Sequence, residues 1–225
     1  MTSLLRSPKV RTVYHITHLD NLEEIFRCGV LLPASQAIPV TNFADTEIKK
    51  KRQDFKLGVE PYGYLADYTP FHFVPTTPYF HRITNSPRSA AQPVRQAHFA
   101  VIRLDFEPQS HALINSSPSI VTSAHPLSSR VEIAKASPEN IKNMVDWRVI
   151  HSKTPWDVKD MFEEEWRLRR QAELLVFGGL KIEGANLKLF VRTDPALKKL
   201  DDILKASNSN CEAAIGEKYF NHHFA

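Results

Sequence analysis

Cysteine is scarce in this 225-residue chain, which carries only Cys28 and Cys211. The two make no CxxC and no spacing that a metal would use, and isolated thiols fit a reducing compartment. Glycine-rich phosphate cradles are missing as well. There is no GxGxxG, and where Gly58 and Gly63 have the spacing of a GxxxxGK[ST] loop, Tyr64 takes the place of the lysine. There is no GxSxG nucleophile elbow and no HExxH pair. His222 and His223 are adjacent near the C-terminus, which reads as a solvated tail and falls short of a zinc set. No metal is expected. The opening MTSLLRSPKV has no sustained apolar core, and no apolar run approaches the roughly 20 residues of a membrane helix. The expected location is the cytoplasm.

The composition is that of an ordinary soluble protein, 42% hydrophobic and 24% charged. The net charge of +4 permits a polyanionic partner without demanding one. A chain this long buries about 70% of its unfolded surface and needs no disulfide or metal staple. One domain over residues 1–225 is expected.

TVYHIT, Thr12 to Thr17, reads as a strand with Tyr14 and Ile16 on one face and Val13, His15 and Thr17 on the other. A helix follows, with Asp20 as its cap and Glu23 completing a capping box. Leu22, Ile25 and Phe26 form its buried stripe and Gly29 ends it. Val30 to Leu32 pairs into a sheet. Residues 33–70 read as loop around one basic helix, DTEIKKKRQDF. FHFVP and YFHRI read as strand pieces lining a cleft. HFAVIRLDF and RVEIAKA read as strands. Ser137-Pro138 and Thr154-Pro155 each start a helix, the second running into Arg167, Arg169 and Arg170. AELLVFGGL and LKLFVRT are further strands, Asp194-Pro195 starts a last helix, and EKYFNHHF closes as a strand. Strands and helices do not alternate regularly, so the expected class is α+β with a mostly antiparallel core rather than a doubly wound parallel sheet.

Glu173 is the sharpest chemical signal. It enters an apolar strand beside Leu175 and Phe177, where an unpaired carboxylate costs several kcal/mol, and three arginines precede it. Read from residues alone, it is either a structural ion pair or a chemical carboxylate. Lys49, Lys50 and Lys51 read as a solvated face. Arg52 differs from them because its planar fork can clamp a phosphate bidentately. Taken singly, His15 and Thr17 read as ordinary strand residues. A basic stretch from Arg167 to Arg170 with Trp147, Trp156 and Trp166 nearby in sequence would suit stacking on single-stranded nucleic acid, although core packing accounts for at least one of those tryptophans.

Three blocks in order resemble the DarT family of DNA ADP-ribosyltransferase toxins: VYHITHLDNLEEIFRCGVL; KKKRQ followed by DYTPFHFVPTTPYFHRI; and RRQAELLV. The resemblance runs from about Val13 to Val176, with an echo in the C-terminal Tyr219-Phe220. It implies the ADP-ribosyltransferase fold, two facing, mostly antiparallel sheets with flanking helices and NAD⁺ in the cleft. It implies Glu173 and Arg52 as catalytic residues, with His15, Thr17, Asn21, Phe71 and Phe73 lining the NAD⁺ site. It implies a substrate-recognition stretch over about residues 114–170, to which Arg167, Arg169, Arg170 and Trp156 are assigned as DNA contacts. The implied substrates are NAD⁺ and single-stranded DNA, and the implied partner is a separate macrodomain antitoxin. The chain departs from the family pattern at His72, where a tyrosine is favoured, at Thr76-Thr77, where arginine precedes serine or threonine, and at Tyr79, where methionine is frequent. Thymine and guanine both stay open as the modified base. The alternatives are an NAD⁺-consuming transferase acting on RNA or a terminal phosphate, and a non-catalytic single-strand binding module.

Overall fold

The structure, a computed structural model, describes residues 12–85, 96–105, 117–183 and 185–220. Its elements run β1 (Thr12–His18), α1 (Leu19–Cys28), β2 (Val30–Leu31), α2 (Thr46–Asp54), β3 (Tyr68–His72), α3 (Pro78–Asn85), β4 (Phe99–Asp105), β5 (Ser119–Thr122), β6 (Ile133–Lys135), α4 (Pro138–Met144), α5 (Trp147–His151), α6 (Glu163–Arg169), β7 (Glu173–Phe177), β8 (Leu180–Lys181), β9 (Leu187–Val191), α7 (Asp194–Ala206) and β10 (Glu212–Ile215). Eight strands form one sheet in the order β10-β9-β4-β1-β3-β7-β5-β6, and β2 pairs with β8 in a small second sheet. All pairings are antiparallel except β10 with β9.

The large sheet is two four-stranded blocks joined at a narrow seam. β1 matches β4 along seven residue pairs, and β3 matches β7 along five, but β1 meets β3 only at Tyr14–His72. Strand alternation sorts the side chains. Val13, Phe71, Ile102, Leu104, Val121, Leu174, Val176 and Leu189 share the main core with Leu22 and Phe26 of α1 and Leu200 and Leu204 of α7. The opposite face carries two smaller cores, one around Phe80, Phe99, Val101 and Tyr219, the other around Leu57, Leu65, Tyr68, Ile120 and Leu175. β7 turns into β8 through Gly178 and Gly179, both at positive φ. A Cβ on Gly179 would stand 2.8 Å from the Leu31 carbonyl, so only glycine lets the turn pass that close to β2.

The α+β class and the mostly antiparallel core are as expected, and several local readings are corrected. His18, not Asp20, caps α1: its Nδ1 accepts from the Asp20 N–H. YFHRI is helix α3, not strand. Thr77 Oγ1 accepts from the Phe80 N–H ahead of Pro78, the same cap-then-proline start that opens α4 at Ser137-Pro138. Thr154-Pro155 opens only a 3₁₀ turn, Pro155–Asp157, and α6 begins separately at Glu163. RVEIAKA contributes only Ile133–Lys135. EKYF forms a 3₁₀ turn, Glu217–Tyr219, and the edge strand is the unanticipated β10. Phe106, residues 114–116 of the recognition stretch, and His222 and His223 lie outside the described residues.

Candidate active site

A cavity of about 630 Å³ opens between the two smaller cores, where β1 parts from β3. β3 and β7 supply its floor. Tyr68, Pro70 and His72 share one face of β3, and Glu173, paired with His72 in the register, begins the matching face of β7. Across the split, His15 Nδ1 lies 2.8 Å from the Pro70 carbonyl. A carbonyl only accepts, so Nδ1 carries the proton and Nε2 keeps its lone pair. Burial pushes this imidazole down to about 4, against the opposing pull of the Pro70 bond and of Glu173, so it is neutral at pH 7.

The segment after β2 forms the opposite wall, with Ile38, Pro39, Val40 and Thr41 among its lining residues. Asn21 holds it: Nδ2 donates to the Thr41 carbonyl at 3.1 Å and Oδ1 accepts from the Thr41 N–H at 2.9 Å. Asp20 accepts from both the Thr41 hydroxyl and Lys199. α2 follows, capped by Asp45, whose carboxylate accepts from the N–H groups of Glu47 and Ile48. Asp45 also anchors α2 to α3, through the Tyr79 hydroxyl on its N–H and an ion pair with Arg82.

That anchorage delivers Arg52 to Glu173. Nη1 donates to Oε2 at 3.1 Å and Oε1 at 3.4 Å, across 121 residues of sequence. The side chains are only 13% and 4% exposed. Burial alone would raise the Glu173 carboxyl. Arg52, His72 and His125 outweigh it, and the net displacement is downward. Burial likewise pushes His72 and His125 down, so both are neutral at pH 7. The Glu173 backbone N–H donates to Thr122 Oγ1 at 2.9 Å, and that hydroxyl donates to the Ala124 carbonyl, which locks the start of β7 to β5. Arg52 Nη2 and His72 Nδ1 are buried without a protein partner. Such groups are costly unless something else satisfies them. An ionised carboxylate, a guanidinium with an unused N–H face and neutral imidazoles, all in one roomy cleft, form a site for developing positive charge and a phosphate-bearing ligand.

The model of the family described as "ssDNA thymidine ADP-ribosyltransferase, DarT" matches residues 14–220. A protein of Thermus sp. (strain 2.9) named DNA ADP-ribosyl transferase is 30% identical over 171 residues, 76% of this chain and 76% of its own length. The chain belongs to the DarT family. It is a DNA ADP-ribosyltransferase. In fold it is similar to Thermus sp. 2.9 DarT in complex with ADP-ribosylated ssDNA, with a TM-score of 0.81 at 23% identity over 94% of this chain and 97% of that one. Against Thermus sp. 2.9 DarT in complex with NAD⁺, the TM-score is 0.75 at 23% identity over 94% and 98%.

Within this DarT-family chain, the cavity gathers His15, Thr17, Asn21, Arg52 and Glu173. It does not gather Phe71 and Phe73, which are 0% and 5% exposed and packed in the main core. Strand alternation puts Phe71 on the face opposite His72, so Tyr68, Pro70 and His72 replace the expected aromatic wall. Asn21 spends both amide atoms on the Thr41 backbone and acts on the site by shaping it. The arginine cluster also divides. Arg167 pairs with Glu163 and Arg169 with Glu165, four residues apart on α6. Arg170 is a structural residue: it is buried, donates to the carbonyls of Val149 and Ser152, and stacks on Trp166. Trp166 is fully buried with its Nε1 donating to Ser152 Oγ, whereas Trp156 is 83% exposed. His72, Tyr79, His125 and Gln171 line the cavity and were missed as site residues. Tyr79 and His72 carried a signal as departures from the family pattern; for His125 and Gln171 the sequence offered none.

Proposed function

We propose that this chain transfers the ADP-ribosyl group of NAD⁺ to thymine in single-stranded DNA, with Glu173 and Arg52 at the reacting centre. The observation that carries the reading is a buried Glu173 paired at 3.1 Å with Arg52 in the floor of the cleft. The family description names thymidine and single-stranded DNA, and the NAD⁺ and ADP-ribosylated DNA complexes of the Thermus protein support donor and acceptor.

The bond between nicotinamide and its ribose C1′ breaks, nicotinamide leaves with the bonding pair, and C1′ becomes oxocarbenium-like. Glu173 stabilises that charge from beneath the ribose. The neutral His15 offers Nε2 to a hydroxyl, and Thr17 adds its own hydroxyl to the same wall. Arg52 holds phosphate and orients the acceptor strand. With its N1 tied to deoxyribose, thymine keeps one ring N–H, at N3. N3 attacks C1′ and its proton passes to Glu173 acting as general base. Placing both reactants in line is worth up to roughly 7–11 kcal/mol. In a duplex N3 is occupied by base pairing, and exposing it costs a few kcal/mol, so the free strand is the substrate. Trp156, exposed like Phe162, offers a ring to stack on it. A macrodomain antitoxin, implied by the resemblance, is the expected partner of such a toxin, with the cytoplasm as its location. Among the described residues no helix is long and apolar enough to cross a membrane.

The test pairs one thymine-containing oligonucleotide, free or annealed to its complement, with NAD⁺. The expected result is released nicotinamide and a free strand heavier by one ADP-ribosyl group. An unchanged strand mass, or a duplex modified as fast as the free strand, overturns the proposal.

A further inference from the structure

We propose that His72 reads the acceptor base, its imidazole N–H donating to one carbonyl of the thymine imide edge. The inference rests on the proposed function and deepens it. His72 stands opposite Glu173 in the β3–β7 register and lines the same cavity as Arg52, Tyr79 and His125. Its Nδ1 is buried with no protein partner, as is Arg52 Nη2. Both residues are tied to one carboxylate, Arg52 by its ion pair and His72 by the strand register, and each holds a buried polar atom without a protein partner.

The chemistry of the three groups defines the ligand. Arg52 only donates. The ionised Glu173 only accepts. Burial keeps His72 neutral, so it brings one N–H and one lone pair. With its N–H turned toward the base, the three groups together offer two donors and one acceptor. Thymine presents the complement along its imide edge: a carbonyl, the N3–H and a second carbonyl. Cytosine lacks the central N–H, and guanine has an amine where the second carbonyl should be, so either leaves a buried donor facing a donor or an acceptor facing an acceptor. This arrangement also brings N3–H to Glu173, where the proposed reaction removes its proton. The His15 ring is already committed through Nδ1 to Pro70, and His18 through Nδ1 to the Asp20 N–H, whereas the buried Nδ1 of His72 has no protein partner.

The experiment measures transfer by wild type, His72→Phe and His72→Asn, with oligonucleotides carrying a single thymine or a single guanine, at varied NAD⁺ and varied DNA. Phenylalanine keeps the ring and removes both nitrogens. Asparagine places an amide N–H close to the position of Nδ1. The expected result is a kcat/KM for the thymine strand lowered about 10- to 100-fold by Phe, as for loss of one specific base contact, with recovery of at least threefold by Asn. The KM for NAD⁺ stays within about twofold and both variants melt within a few degrees of wild type. The proposal is overturned if Phe leaves thymine transfer unchanged, if it raises the NAD⁺ KM while the DNA KM stays put, or if Asn recovers nothing while melting like wild type. Failure of the proposed function looks different: wild type itself then modifies neither strand.

Discussion

β7 and α2 deliver the two halves of one ion pair and are built in opposite ways. β7 sits between β3 and β5, its first four residues buried and its leading N–H fixed by Thr122. α2 has no buried residue and depends on its cap and on Tyr79 and Arg82 of α3 for position. The carboxylate is therefore part of the fold, and the guanidinium is brought to it. Chemistry that must meet a short-lived cation is best served by a preorganised charge. A group that must admit and release a DNA strand is better carried on an element at the rim. The same contrast divides the arginines of α6 and its end: Arg170 is locked under the surface, and Arg167 and Arg169 pair with glutamates in solvent.

The largest effect belongs to the rigid half. Glu173→Ala should lower ADP-ribosyl transfer by about a thousandfold or more, with NAD⁺ affinity changed far less. Steady-state rates alongside NAD⁺ titration check this, and comparable losses in both would assign Glu173 to binding. Arg52→Lys keeps the charge and loses the fork, and a reduction of about 10- to 100-fold is expected. Lys50→Ala, on the opposite face of α2 and exposed, should stay within about twofold; equal losses at the two positions would remove the distinction between them. Arg170→Ala should cost about 2–4 kcal/mol of stability, because it strands backbone carbonyls that it now satisfies. Trp156→Ala should leave stability within about 0.5 kcal/mol while weakening oligonucleotide binding. Denaturant melts and DNA titrations separate these two.

The smallest effect is the pH dependence of the floor. His15 is held near 4 in the fold and returns to the ordinary histidine range when unfolded. Its folded value is depressed, so its contribution is complete above about pH 6.5 and is lost as pH falls toward 4. His72 and His125 shift in the same direction. Glu173, also depressed, adds a loss that begins only below its unfolded value of about 4.3. The melting temperature should therefore decline from pH 6.5 downward, and His15→Gln should flatten that decline. A variant with an unchanged slope would mean that His15 is not held neutral in the fold.

Much of the fold was legible because strands announce themselves by alternation and helices by caps. β1, β4 and β7 were placed by their patterns, and α1 and α7 by periodicity and Gly29 or Pro195. α3 was missed because Tyr79, Phe80 and Ile83 favour strands in isolation, and the Thr77-Pro78 start was outweighed by them. The site was legible in part. No pattern along the chain brings Arg52 to Glu173 across 121 residues, and only the family blocks did so. The resemblance implied Phe71 and Phe73 as lining residues, yet alternation along β3 turns Phe71 into the main core, away from His72 and Pro70, and Phe73 packs in the same core. EEEWRLRR already contained the two i, i+4 pairs that mark Arg167 and Arg169 as solvated and leave Arg170 as the exception.

The account depends on Glu173 staying ionised while buried, because a protonated carboxyl stabilises no oxocarbenium ion. Carbon-13 NMR of the labelled glutamate side chains, with Glu173→Gln to assign the signal, measures this directly in wild type and in Arg52→Met. The expected result is a Glu173 that titrates below the ordinary glutamate range in wild type and moves above it once Arg52 no longer offsets its burial. A Glu173 that is protonated at neutral pH in wild type, or one indifferent to the loss of Arg52, would contradict the account.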